Sequence, residues 1–120
     1  MIGFVMTIYG MLFFWRRKSG IPKMSTERLW ASIKSNNPKD DFLTRLVVEE
    51  LLKRDEDITP AIPRFAKLMT RDSFGLRIIG EGLMLEHFPE LLQDIEYKAI
   101  KKPNPETRIY LESLADESDS

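Results

Sequence analysis

Apolar residues return every three or four positions along most of the chain, in runs separated by short polar breaks rich in proline, asparagine and aspartate. That period gathers each run on one side of a helix. Leu29, Trp30 and Ile33 make the first stripe, opened by Ser25 or Thr26 as N-cap and closed by Asn36-Asn37-Pro38. Asp40 and Asp41 start a second helix, which carries Phe42, Leu43, Leu46, Val47, Leu51 and Leu52 inward and ends at Lys53. Beyond a polar connector, Thr59-Pro60 reads as an N-cap with Pro in the first turn, although Pro63 moves the start forward. Ile62, Phe65, Leu68 and Met69 are the buried side of that helix. Asp72-Ser73 opens the next, with Phe74, Leu76, Ile78, Ile79, Leu83 and Met84 apolar. After Phe88-Pro89 a partner helix is predicted to about Lys101 through Leu91, Leu92, Ile95 and Ile100. Lys101 to Pro105 is a linker, Glu106 to Ala115 a last helix, and 116–120 an acidic tail that frays. The pattern predicts an all-α protein.

One phrase occurs three times within these helices. It runs Arg45-Leu46-Val47-Val48-Glu49-Glu50-Leu51, then Arg77-Ile78-Ile79-Gly80-Glu81-Gly82-Leu83, then Arg108-Ile109-Tyr110-Leu111-Glu112-Ser113-Leu114, with the arginines 32 and 31 residues apart. Self-similarity at such a period is the mark of stacked helix pairs. Gly75, Gly80 and Gly82 each cost the fourth helix up to about 1 kcal/mol relative to Ala, so packing must hold it. Gly80-Glu81-Gly82 falls inside a helical pattern with no strand before it, which argues for close helix contact and against a phosphate loop.

An acidic or Asn/Pro turn followed by Arg and small or apolar residues ending in Leu resembles HEAT-like repeats, most closely the short phycobilisome-lyase-type variety. The resemblance covers residues 38–115. It implies a short right-handed α-solenoid of about two and a half repeats. It also implies a structural ladder in which the turn Asp72 and the helix arginines Arg45, Arg77 and Arg108 join neighbouring repeats. The competing pairing, Arg to Glu four residues on within each helix, is worth only about 0.2–0.5 kcal/mol in that orientation, so the ladder is favoured. Asn104 stands where the last copy would carry the turn Asp, and Thr44 and Thr107 stand where an apolar residue is usual. Such stacks present a continuous surface to another protein, and Trp30 and Tyr110, near the two ends, are the candidate partner contacts. Some HEAT-like proteins have lyase or glycosylase activity, which is the enzymatic alternative.

The first 24 residues are a separate unit. Met1 to Trp15 holds no charge, and Arg16, Arg17 and Lys18 follow at once. As a helix the uncharged run reaches about 22 Å, short of the ~30 Å hydrocarbon core. Interfacial Phe13, Phe14 and Trp15 and snorkelling arginines cover part of the deficit. Charge after the apolar run, and none before it, differs from a secretory signal and places the helical body (25–115) in the cytoplasm. The alternatives are a terminal helix packed on the body, and a soluble adaptor or inhibitor-like protein that starts near Met24.

Charge and composition remove several other classes. A net charge of −1 gives no global field for nucleic acid. With no cysteine there are neither disulfides nor thiolate metal sites. His87 is the only histidine, placed at a helix end where it suits capping better than proton transfer. One histidine with scattered glutamates is a poor ligand set, and no cofactor is expected. The expectation is a non-catalytic, membrane-tethered protein-interaction module.

Overall fold

The computed structural model describes residues 20–35 and 37–116. Six α-helices and three 3₁₀ turns, without a strand, account for the regular structure of these residues. The uncharged N-terminal segment, its flank Arg16, Arg17 and Lys18, and the end of the acidic tail lie outside the described residues. No helix among the described residues is long and apolar enough to cross a membrane.

A 3₁₀ turn at Ile21–Lys23 leads into α1 (Thr26–Lys34), where the Ser25 hydroxyl accepts from the Arg28 N–H as a true N-cap. Leu29 and Ile33 are its buried residues. Next come two helices where the pattern predicts one. α2 (Pro38–Asp41) is capped by Asn37, and α3 (Thr44–Lys53) begins after a break at Phe42–Leu43. The break turns Asp41 inward and leaves Phe42 outside, 52% exposed. α3 ends in a Schellman motif: the Glu56 N–H reaches the Leu51 carbonyl, the Asp55 N–H reaches that of Leu52, and Asp55 takes a φ of 59°.

Thr59–Ala61 forms a 3₁₀ turn and α4 (Ile62–Met69) follows it, so the proline at position 63 lies in the first helical turn, where its missing N–H is harmless. α4 is the centre of the molecule. Phe65, Ala66, Leu68 and Met69 are wholly buried, and even Arg64 is enclosed. A short helix buried almost all round must have neighbours on several sides. It packs against α5 (Phe74–His87) and α6 (Pro105–Asp116), while α1 packs on α3. The molecule measures 39 × 39 × 22 Å, and the short dimension is about two helix diameters.

Gly80 sets the α4–α5 crossing. A Cβ there would lie 2.8 Å from Leu68 Cβ, 2.8 Å from the Phe65 carbonyl oxygen and 2.9 Å from the Met69 nitrogen, so only glycine lets the backbones come this close.

The predicted helix from Pro89 to Lys101 is not formed. A 3₁₀ turn covers Pro89–Leu92, and turns and extended chain follow to Asn104. The physical reason is competition for the carbonyls, which side chains from elsewhere take instead of the segment's own N–H groups. The Tyr110 hydroxyl donates to the Leu91 carbonyl at 2.8 Å, the Thr107 hydroxyl to that of Glu96 at 2.9 Å, and Arg77 Nε to that of Ala99 at 2.9 Å. Asn104 then caps α6 by accepting from the Thr107 N–H.

Candidate functional site

The three arginines of the repeated phrase occupy unlike settings. Arg77 is buried and grips backbone: besides the Ala99 carbonyl it donates to the carbonyls of Arg71 and Asp72, both at 2.7 Å. Those two carbonyls follow the end of α4, so one guanidinium fastens the α4–α5 turn to the irregular segment. Its rigid fork of donors suits three acceptors in a way that a lysine ammonium does not. Arg45 lies at the surface, 3.6 Å from Glu86, and Arg108 is exposed beside Glu112 on its own helix. The Asp72 carboxylate meets Lys102 Nζ at 3.1 Å and no arginine side chain among the described residues. The ladder of Asp72 with Arg45, Arg77 and Arg108 is therefore not the pairing these residues make. The last copy uses the within-helix Arg–Glu pair instead, because Arg108 faces solvent on α6.

A buried ion cluster lies where the sequence pattern gives only a helix start. Both Asp41 and Arg64 are almost fully enclosed; Arg64 Nη2 is 2.9 Å from Asp41 Oδ1 and Arg71 Nε is 3.2 Å from Asp41 Oδ2. These atoms sit at ion-pair distance but off the line of a hydrogen bond, so the contact is mainly coulombic. Arg64 Nη1 also donates to the Ser35 carbonyl, past the end of α1. Burial pushes the Arg64 guanidinium below its ordinary value; the Asp41 charge offsets only part of this, and the neighbouring Arg71 charge adds to it. The cluster joins α1, α2 and α4. The sequence signal was Arg64 itself, a charge inside the apolar run Ile62 to Met69, which requires a partner that spacing alone does not identify.

Trp30 and Tyr110 are both half-buried against the core, with their polar ends engaged. The Trp30 indole N–H donates to Glu56 Oε1 at 3.2 Å, and the Tyr110 hydroxyl to Leu91 as described. Each braces one end of the body. His87 Nε2 is 4.0 Å from Glu86 Oε2, and α5 is closed by the Phe88 N–H on the Met84 carbonyl. No three potential metal ligands come together among the described residues. A groove of about 560 Å³ lies between the N-terminal turn, α1 and α3, with Ile21, Met24, Leu43 and Val47 among its lining residues.

Large apolar side chains stay exposed on both α3 and α5. Phe74, Ile78 and Leu85 are exposed and recur at i, i+4 and i+11, one stripe of α5. On α3, Arg45, Glu49 and Leu52 face outward, with Phe42 just before the helix. Arg45 joins the two: its Nη2 lies 3.1 Å from where a Cβ on Gly82 would be, and Nη1 reaches Glu86. Exposed apolar side chains on two helices, with one solvent-accessible ion pair between those helices, are the kind of groups from which interfaces draw hydrophobic anchors and polar registration. Compared with protein families, curated sequences and solved structures, the chain matches none.

Proposed function

We propose that the protein is a non-catalytic docking module held at a membrane by its N-terminal segment. The observation that carries the docking reading is the α3–α5 surface, where Phe42, Phe74, Ile78 and Leu85 stay exposed although the same helices bury other faces fully. The partner that fits is a protein presenting an apolar helix face with one acidic and one basic side chain to meet Arg45 and Glu86. Trp30 and Tyr110, with rings only half covered, are subsidiary contacts at the two ends. The tether rests on the uncharged run Met1 to Trp15 followed by Arg16, Arg17 and Lys18, which places the helical body on the cytoplasmic side. In architecture, residues 38–115 form an irregular HEAT-like stack, with α1 as its leading cap and α6 as its trailing one.

A photo-crosslinking residue at Ile78 of the full chain, expressed in its own cells, tests the docking face. A discrete protein adduct is expected at Ile78, lost on Arg45→Glu and absent when the probe replaces the exposed Glu27 on α1. Equal adducts at both positions, or none at Ile78, refute it. Fractionation tests the tether separately: retention in the carbonate-washed membrane pellet is expected, and full recovery in the supernatant favours the soluble adaptor.

A further inference from the structure

We infer that the turn Lys98–Lys101 is a second membrane contact, a cationic, apolar-tipped finger that touches a bilayer carrying anionic lipid. The inference rests on the reading of the chain as membrane-tethered and adds the site by which the folded body meets the surface. The turn is closed by the Lys101 N–H on the Lys98 carbonyl at 3.0 Å. At its tip Ile100 is 66% exposed, flanked by the exposed Lys98, Lys101 and Lys102. An apolar tip ringed by lysines matches a bilayer edge, where the aliphatic group enters the headgroup boundary and the ammonium groups meet lipid phosphates.

The finger is built to stand out. Its base is fastened by three interactions: Arg77 holds the Ala99 carbonyl from within the core, the Tyr97 hydroxyl donates to the Met69 carbonyl at 3.0 Å, and Ala99 is buried. Presenting Ile100 therefore requires no rearrangement of the body. Acidic neighbours reduce the field but do not cancel it: Asp72 pairs with Lys102 and Glu96 lies nearby in sequence, while Lys98 and Lys101 remain exposed without an ion pair among the described residues. Each lysine near an anionic surface strengthens binding roughly fivefold. For a chain already tethered the contact is intramolecular and acts at millimolar effective concentration, so two such lysines engage fully; without the tether the same contact is weaker but keeps its dependence on anionic lipid.

The absence of cysteine allows one site-specific label at a time. The full chain bearing Ile100→Cys, coupled to an environment-sensitive fluorophore, is mixed with vesicles of phosphatidylcholine alone or of phosphatidylcholine with 30 mol% (about one lipid in three) phosphatidylserine, a composition chosen to supply surface charge. A blue shift with the anionic vesicles is expected, at least fivefold weaker on neutral vesicles and at least fivefold weaker in the Lys98→Glu/Lys101→Glu background. A control label at Leu85→Cys, eight residues or about 12 Å along α5 from Arg77, should not shift. Co-sedimentation of the same samples separates the two readings. Chains that pellet with both vesicle types but show an unshifted Ile100→Cys probe keep the tether and overturn the finger. Chains that pellet only with anionic vesicles, with the shift, keep the finger and overturn the tether. Chains that pellet with neither overturn both, and an equal shift at Leu85→Cys overturns the finger as a distinct site.

Discussion

Gly80 and Phe65 meet backbone to backbone: a Cβ on Gly80 would lie 2.8 Å from the carbonyl oxygen of Phe65, with Leu68 Cβ and the Met69 nitrogen as close on the same side. Two of those three atoms are main chain in the most buried helix of the molecule, so the contact cannot be relieved by a rotamer. Gly80→Ala is expected to cost about 1–3 kcal/mol after allowing for the better helix propensity of alanine. At Gly82 the corresponding neighbour is the far end of the exposed Arg45 side chain, at 3.1 Å, which can swing aside at the expense of a surface ion pair. Gly82→Ala is therefore expected to be neutral or to stabilise by up to about 1 kcal/mol. Urea denaturation of the two variants should order them on opposite sides of the wild type or nearly so; equal losses would mean that the α4–α5 crossing is looser than described.

The repeated phrase predicts equal roles for its arginines, and the contacts predict very unequal ones. Arg77→Met would leave the carbonyls of Arg71, Asp72 and Ala99 without their donor inside the protein, at about 1–3 kcal/mol for each that stays dry, so a loss of about 3 kcal/mol or more is expected. Arg77→Lys should recover only part of it, since an ammonium cannot span the three acceptors. Arg45→Ala and Arg108→Ala, both at exposed ion pairs, should fall within about 1 kcal/mol of wild type. Thermal unfolding of the four variants measures this directly, and similar losses at all three positions would restore the equivalence that the phrase implies.

The features legible in the sequence were those that depend on neighbours in the chain. Ser25, Ser73 and Thr59-Pro60 mark starts of helices or of the turns before them because capping and proline geometry are settled within four residues. The expected close helix contact is found at Gly80 alone: Gly75 is exposed with only Ser73 nearby, and Gly82 meets only the end of the Arg45 side chain. What spacing could not reveal was chemistry between distant segments. Asp41 looks like any first-turn acid until α4 brings Arg64 to it from 23 residues away. The stretch from Pro89 to Lys101 keeps helical spacing and still is not a helix, because Tyr110, Thr107 and Arg77 capture its carbonyls. The exposed apolar side chains show the same limit. Phe42, Ile78 and Leu52 read as core from periodicity and are exposed in the fold, because which side of an apolar run is covered depends on the neighbouring helices and not on the run.

The Asp41–Arg64 pair should behave as a buried ion pair whose single partners are worse lost than both together. Asp41→Ala leaves the Arg64 charge enclosed with the Ser35 carbonyl and the more distant field of Asp40, and a cost of about 3–5 kcal/mol is expected. Arg71→Ala should cost less, since that side chain is 39% exposed and water can replace it. The double variant Asp41→Leu/Arg64→Met should recover much of the single-variant loss. A double-mutant cycle on urea-unfolding free energies supplies the coupling, and strictly additive losses would show that the pair is not the unit holding α2 to α4.

Tyr97 gives the protein an alkaline limit. Burial raises its phenol above the ordinary value, the negative Glu81 adds to the rise, and Arg77 opposes it. The unfolded chain releases this proton near pH 10 (about the model-peptide value), whereas the folded chain keeps it to higher pH. Between those two values the native state binds more protons than the unfolded state, so stability falls as pH increases. The contribution is fully present below about pH 10 and is lost as pH rises through the folded value. Tyr97→Phe removes the hydrogen bond to the Met69 carbonyl and should cost about 1 kcal/mol at neutral pH. It should also flatten the decline in stability above about pH 10, because the titrating group is gone. Unfolding free energies of wild type and variant from about pH 7 to about pH 11, a range that crosses the unfolded phenol's value near 10, check both parts, and parallel curves would show that Tyr97 titrates alike in the folded and unfolded chains.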